Sequence, residues 1–196
     1  MSKRSKGTLS RPTVETIEKE IERLKKSAAL RKVVADTLRA LLVVAAVTLI
    51  ISNLWLPVFQ IAGSNMEPAL QNGDVVLSVK RAEFQRGDVI VFYYNNKILV
   101  KRVIAQGGEV VDIAEDGTVS VNGKALDEPY VSGKSLGKCD LTFPYTVPAK
   151  TLFVMGDDRA SSVDSRASML GPVSPEQVVG KVIFRIWPLH SADKVR

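Results

Sequence analysis

The sequence predicts a mainly β protein: an antiparallel β body that follows one N-terminal transmembrane helix, with a short amphipathic helix before that span. Three observations predict this fold class. All of the net charge of +6 lies before residue 40. An uncharged apolar stretch follows at once, and short β-branched runs separated by turn residues fill most of the remainder. With 196 residues, the chain has room for one domain of ordinary size and an appendage.

Residues 1–39 are predicted to form a basic cytoplasmic arm. They contain eleven Lys or Arg and five acids, whereas the rest of the chain carries sixteen of each. Because this charge directly precedes an apolar stretch, it indicates membrane orientation, and we expect no nucleic-acid partner. Apolar residues spaced by three and four positions predict an amphipathic helix: Val14, Ile17, Ile21, Leu24 and Ala28. Three roles are open for that helix: lying on the membrane surface, pairing with another helix, or serving as a solvated arm.

Residues 40–59 are predicted to form a transmembrane signal-anchor. The nearly apolar run from Ala40 to Leu56 has 17 residues, at the short end of the roughly 17–25 that a spanning helix needs. Trp55 suits an interfacial position, and Pro57 is expected to end the helix. A cleaved signal peptide would carry a shorter basic region and an A-x-A-like site. We therefore expect one uncleaved span in the cell membrane, with the N-terminus in the cytoplasm and the later residues outside it.

Residues 60–196 are predicted to form the extracytoplasmic β body. Five β-branched or apolar runs are predicted as strands: Val75–Val79, Val89–Tyr93, Ile98–Ile104, Val119–Val121 and Val178–Phe184. Four residue pairs are predicted as hairpin turns: Asn72-Gly73, Asn95-Asn96, Asp116-Gly117 and Asn122-Gly123. Prolines spread through the later part of the chain disfavour long helices there.

Scarce histidine and cysteine limit the chemistry of this body. The chain has one histidine, His190, which is expected in a C-terminal tail, and one cysteine, Cys139. These numbers exclude zinc sites built from several His or Cys ligands, and they exclude an internal disulfide. No metal or organic cofactor is expected. A hydrolase in this chain would therefore need a general base other than histidine, unless His190 supplies it.

Lys101 is a candidate for that base. It lies inside the apolar run Ile98–Ile104, and burial can lower a lysine pKa until the neutral amine is populated near pH 7. The alternative is a lysine on an edge strand, where its charge protects against aggregation.

A dense polar segment, Gly156–Arg166, packs three acids, two arginines and three serines into eleven residues. Such a loop can close on itself through an Asp–Arg pair and position a catalytic group. The alternatives are a solvated surface loop or a metal-binding loop of oxygen ligands. A third segment, Gly63–Leu70, directly follows the predicted span, so a nucleophile there would act close to the bilayer surface.

Taken in this order, the segments resemble type I signal peptidases, the membrane-anchored Ser–Lys endopeptidases that remove signal peptides from exported proteins. The resemblance covers roughly residues 38–188. Besides the anchor, it is carried by a Ser-Met-x-Pro-like box at 65–68, Arg86–Phe92, Val100–Ile104, the loop Gly156–Arg166 and Val179–Val182.

The resemblance implies an all-β catalytic body docked on the membrane, without metal or cofactor. It implies cleavage of exported precursors at A-x-A-like sites, with the lipid bilayer as the other partner. By position, Lys101 would be the general base and Ser162 would orient its amine. Four further residues would hold the loop, and Met66 would pack near the site; the four are Asp164, Arg166, Asp157 and Arg159.

Two positions depart from the family pattern. The nucleophilic serine of the family directly precedes the methionine, but here that position is Asn65, which has no ionisable hydroxyl. Ser64 is one place early, and adjacent side chains in an extended segment point to opposite sides. Asp158 stands where the family more often has asparagine, and its charge would favour protonated Lys101.

Three explanations of Asn65 are open. The chain is a natural paralogue that acts as a membrane-tethered peptide-binding or assembly factor, or it carries an active-site substitution that silences an enzyme. In the third explanation, the turn is rebuilt so that Ser64 serves as the nucleophile.

Overall fold

A computed structural model describes residues 14–80 and 83–195 of the chain. The first thirteen residues of the predicted arm, with Lys3, Arg4, Lys6 and Arg11, lie outside the described residues, as does the side chain of Trp55. The described chain forms two compact units, one that ends at Ile51 and one that begins at Ser52.

The N-terminal unit is helical. Helix α1 runs without interruption over 42 residues, Val14–Trp55, and no glycine or proline occurs within it to break the hydrogen-bond ladder. The short amphipathic helix is therefore not a separate element but the beginning of the same helix. Part of the region Val14–Ile50 is long and apolar enough to cross a membrane, by length and composition. The helix ends before Pro57, as predicted.

The second unit is built from antiparallel strands. In chain order they are β1 (Val58–Gln60), β2 (Val75–Val79), β3 (Val89–Tyr94), β4 (Lys97–Gln106), β5 (Val110–Ile113), β6 (Val119–Val121), β7 (Lys124–Ala125), β8 (Tyr145–Thr146), β9 (Leu152–Met155), β10 (Val178–Trp187) and β11 (Asp193–Lys194). Among the described residues, one sheet has the order β1-β2-β10-β3-β4-β9, with β11 paired to β10, and a smaller sheet has the order β7-β6-β5-β8. The predicted mainly β class with one N-terminal helix is confirmed.

The five predicted strands are all present, and the remaining six were not predicted. Asn95 and Asn96 adopt φ of 45° and 59° between β3 and β4, as expected for a two-residue hairpin turn. Asn122-Gly123 does the same between β6 and β7. Asn72-Gly73 is not a hairpin turn of this kind, because it closes a longer loop between β1 and β2.

The structure contradicts the edge-strand alternative for Lys101 and the expected C-terminal tail for His190. Lys101 is not on an edge strand, because β4 lies between β3 and β9. His190 is not in a free tail, because it lies in a short 3-10 helix, Leu189–Ser191. Strand β11 follows that helix and pairs back onto β10, which holds this end of the chain.

The core positions the segment Gly63–Leu70. Its residues Met66 and Leu70 are fully buried in a cluster with Val76, Val91 and other apolar side chains of the large sheet. Burial of each such side chain contributes about 1.5–3 kcal/mol. The segment is therefore anchored at both buried positions, and its conformation is set by packing.

Candidate active site

Lys101 lies in the middle of β4, opposite Ile90 of β3, and only 1% of its surface is exposed. Its Nζ donates a hydrogen bond of 2.6 Å to Ser162 Oγ. Burial lowers the pKa of Lys101 from an ordinary value of 10.5 to about 8, although the nearby Asp164 carboxylate opposes this effect. A lysine with this pKa has a substantial neutral fraction near pH 8, so its amine can accept a proton.

The segment Gly156–Arg166 closes on itself through Asp164 and Arg166. The Arg166 guanidinium donates to both Asp164 carboxylate oxygens at 2.8 Å, and both side chains are fully buried. Asp164 also accepts from the Gly156 backbone N–H at 3.0 Å. Although burial alone would raise it, the pKa of Asp164 is lowered by its hydrogen bonds and by the Arg166 charge. This pairing holds the loop in the conformation that places Ser162 against Lys101.

The two alternative interpretations of this segment do not fit the structure. Most of its polar side chains are buried, so it is not a solvated surface loop. Its carboxylates bind guanidinium or hydroxyl groups instead of converging, and Asp158 accepts a short hydrogen bond from Ser161. Within residues 14–80 and 83–195, no group of three or more His, Cys, Asp or Glu side chains could hold a metal ion.

Asp157 connects the loop to the strand of Lys101. Both of its carboxylate oxygens accept from the Arg102 guanidinium, from Nε at 2.8 Å and from Nη2 at 2.6 Å. Burial raises the pKa of Asp157, and the Arg102 charge works against that rise. Because Arg102 is the neighbour of Lys101 in β4, this pair ties the loop directly beside the candidate base.

Arg159 was expected to support the loop, and its contacts are now defined. Its Nε donates to the Gly156 carbonyl at 3.1 Å. Its two terminal nitrogens donate to the Glu128 carboxylate at 3.1 and 2.5 Å, and this ion pair is almost fully buried. Arg159 thus joins the loop to a distant part of the chain.

A pocket of about 270 Å³ lies beside Lys101. Two extended segments line it, residues 58–63 and residues 98–101, together with Asn65 and Met66. Ser64 is exposed and does not line this pocket. Position 65, not position 64, therefore shares the pocket with the candidate base.

The comparisons with known proteins identify the family of the chain. Residues 34–187 match the protein family described as signal peptidase, peptidase S26. The chain belongs to this family. Signal peptidase I S of Bacillus subtilis (strain 168) is 33% identical over 176 residues, which cover 84% of this chain and 95% of that protein. Signal peptidase IB of Staphylococcus aureus (strain COL) is 32% identical over 179 residues, with 81% and 92% covered. A solved signal peptidase I from Enterococcus faecalis V583 is 31% identical, and the match covers 52% of this chain and 98% of the solved one, with a TM-score of 0.42.

Three residues of the candidate site were not predicted: Arg102, Glu128 and Tyr130. Arg102 adjoins the predicted base, and its polar character inside an apolar strand was a signal that could have found it. The Tyr130 ring stacks 3.9 Å from the Arg102 guanidinium carbon, and its hydroxyl donates to Glu128 at 3.2 Å. Glu128 and Tyr130 lie in a loop whose sequence carries no local sign that it contacts Arg159.

Proposed function

We propose that this chain has the site of a signal peptidase I-type membrane serine endopeptidase, which cleaves signal peptides from exported precursors through a Ser–Lys dyad. The observation that carries the proposal is the placement of Lys101. A buried lysine with a pKa of about 8, hydrogen-bonded to Ser162, shares a pocket with residue 65. This is the environment that a lysine general base requires.

In this mechanism, an extended precursor segment binds as an added strand in the pocket beside Lys101. The small side chains of an A-x-A-like site fit its shallow apolar walls. A serine hydroxyl at position 65 gives its proton to neutral Lys101 and attacks the scissile carbonyl, and Ser162 orients the amine. Backbone N–H groups near residues 64–66 stabilise the oxyanion. Protonated Lys101 then gives its proton to the leaving amine, and water releases the acyl group from the serine.

Asn65 favours a second function for the chain as it stands. Its amide has no ionisable hydroxyl, and Ser64 is an exposed residue that does not line the pocket. In this form the chain is a membrane-tethered factor that binds an extended peptide without cutting it. The other residues that the resemblance assigns to the site, Lys101, Ser162, Asp164 and Arg166, are all present, and Asp158 is the second departure from the family pattern. We therefore expect that a serine at position 65 is enough for hydrolysis.

The membrane topology is part of the proposal. The basic residues before residue 40 keep the N-terminus in the cytoplasm, α1 crosses the bilayer once, and the β body lies outside. This arrangement places the pocket on the side where exported precursors emerge.

The deciding experiment compares four forms of the chain on a precursor with an A-x-A site. They are the unchanged chain, Asn65→Ser, Asn65→Ser with Lys101→Ala, and Ser64→Ala. We expect cleavage by Asn65→Ser alone. Cleavage by the unchanged chain that Ser64→Ala abolishes would show that Ser64 is the nucleophile. If Asn65→Ser binds the precursor but never cleaves it, the chain is a binding factor and the dyad proposal is wrong.

A further inference from the structure

The N-terminal part of α1 presents a row of exposed apolar side chains, Val14, Ile17, Ile21 and Leu24. This row lies outside the part of the helix that can enter a membrane. Eight charged residues lie between positions 15 and 26, which keeps this part of the helix out of the hydrocarbon. Nevertheless, Val14 is 71% exposed and Leu24 is 58% exposed. Ala40 lies sixteen positions after Leu24, so Leu24 is about 24 Å along the helix from the start of the apolar run. Nothing in the described chain covers it.

The row has the seven-residue repeat of a coiled coil. With Val14 at position a, the apolar residues occupy successive a and d positions as far as Ala28, and the repeat ends at Arg31. The ion pairs within the helix avoid this row. Glu15–Lys19 and Glu22–Lys26 each join a b and an f position, on the opposite side of the helix. The charged side chains on that side thus pair with each other within the helix, whereas the apolar side chains have no partner in it and are free to pack against another helix.

The charges that flank the row are complementary to a second copy of this chain. In a parallel pair of helices, a g residue faces the e residue five positions later in the other helix. Here Glu20 occupies g and Lys25 occupies e, so two symmetry-related Glu20–Lys25 pairs would form. Within the described residues, the Glu20 carboxylate lies 3.9 Å from Arg23 in its own helix, and both side chains are largely exposed. It is therefore available for such a pair.

The apolar row could pack against the membrane surface or against another helix, and the continuity of α1 favours another helix. A helix that lies on the surface must bend sharply where it leaves the spanning part, and such bends occur at proline, glycine or an inserted group. None of the 42 residues of α1 is glycine or proline, and the helix is unbroken. The row therefore projects from the membrane. Every copy of this chain crosses the bilayer in the same direction, so two neighbouring copies are parallel.

We propose that residues 14–28 of α1 pair with the same residues of a second copy as a parallel, in-register coiled coil. Two heptads are too short to pair stably in solution. Anchoring both helices in one membrane raises their effective concentration and removes much of that cost. This inference rests on the single-span topology in the proposed function, but not on peptidase activity, because the helix forms the same pair whether or not position 65 can react.

Disulfide crosslinking of the full chain in its membrane tests the pairing. In a Cys139→Ala background, single cysteines replace the d residues Ile17 and Leu24 or the f residues Lys19 and Lys26, and a mild oxidant is added. A disulfide needs the two Cα atoms within about 7 Å, so we expect roughly ten-fold more crosslinked dimer at the d positions. Equal crosslinking at all four positions would indicate random collision and would overturn the proposal. Protection of the d thiols from a water-soluble maleimide, without crosslinking, would assign the row to another occupant.

Charge reversal tests the register. In the Leu24→Cys form, Lys25→Glu places like charges opposite each other across the pair, and we expect crosslinking to fall roughly two- to ten-fold. Adding Glu20→Lys should restore it. Lys26→Glu makes the same change in charge at an f position and serves as the matched control, with no loss expected. If the double reversal does not restore crosslinking, the in-register pair is wrong.

Discussion

In the Asn65→Ser variant, we expect kcat/KM for a precursor with an A-x-A site to rise with pH and to level off above about pH 8. The reason is the pKa of Lys101, which burial lowers from 10.5 to about 8. Only the neutral amine can accept the proton of the nucleophile. The rate below this pH should therefore increase about ten-fold per pH unit.

The size of the effect follows from the same values. At pH 7, a lysine with a pKa of about 8 is about 10% neutral, whereas one with a pKa of 10.5 is only about 0.03% neutral. Burial thus increases the reactive fraction roughly 300-fold. In the proposed reaction, that factor would be the net contribution of the surroundings of Lys101.

A fluorogenic peptide with an A-x-A site, assayed from pH 6 to 10 at constant ionic strength, measures the profile. Lys101→Arg in the same background is the control, because its guanidinium stays protonated and should be inactive. A midpoint near 10, or a rate independent of pH, would refute the argument that a buried neutral lysine is the base.

Three further predictions concern the same site. Asp158→Asn should move the midpoint of that profile to lower pH, because the Asp158 carboxylate raises the pKa of Lys101; a shift to higher pH would contradict this. Lys101→Met should raise the free energy of unfolding at pH 7 by up to about 3 kcal/mol, because the folded state depresses this pKa and disfavours the charged amine. Urea unfolding should show that gain persisting below pH 8 and vanishing towards pH 10.5. Glu128→Gln should lower the free energy of unfolding by about 3 kcal/mol, because Arg159 stays buried without an opposite charge. The matched change Glu22→Gln, in an exposed pair, should cost less than about 1 kcal/mol in the same measurement.

The parts of the fold that were predictable have strong local signals. Strands β2 and β3 are runs of β-branched and aromatic residues, and the asparagines after β3 adopt the positive φ that their turn requires. Strands β7, β8 and β11 contain two residues each. No pattern can mark elements so short, because only their partner strands define them. The fusion of the two predicted helices could have been foreseen, since no helix-breaking residue separates them.

The site shows the same division. Lys101 and the segment Gly156–Arg166 could be found from sequence, because a lysine in an apolar strand and a dense polar run are both local anomalies, and the family resemblance joins them into one site. Glu128 could not, because the residue that it binds is 31 positions away. Contacts of that kind depend on how the two sheets bring their loops together.

The structure also bears on whether Ser64 could replace the missing nucleophile. The Asn65 carbonyl accepts from the Asp158 N–H at 3.2 Å, and a Cβ added to Gly156 would lie only 2.5 Å from that carbonyl. The backbone of residue 65 is thus held against the segment Gly156–Arg166, whatever side chain residue 65 carries. Moving Ser64 into the pocket would shift the segment by one residue and withdraw Met66 from the core, at a cost of about 1.5–3 kcal/mol for that side chain alone. In the proposed mechanism, the framework therefore favours residue 65 over Ser64 as the reacting position, and the side chain at that position would decide between binding and hydrolysis.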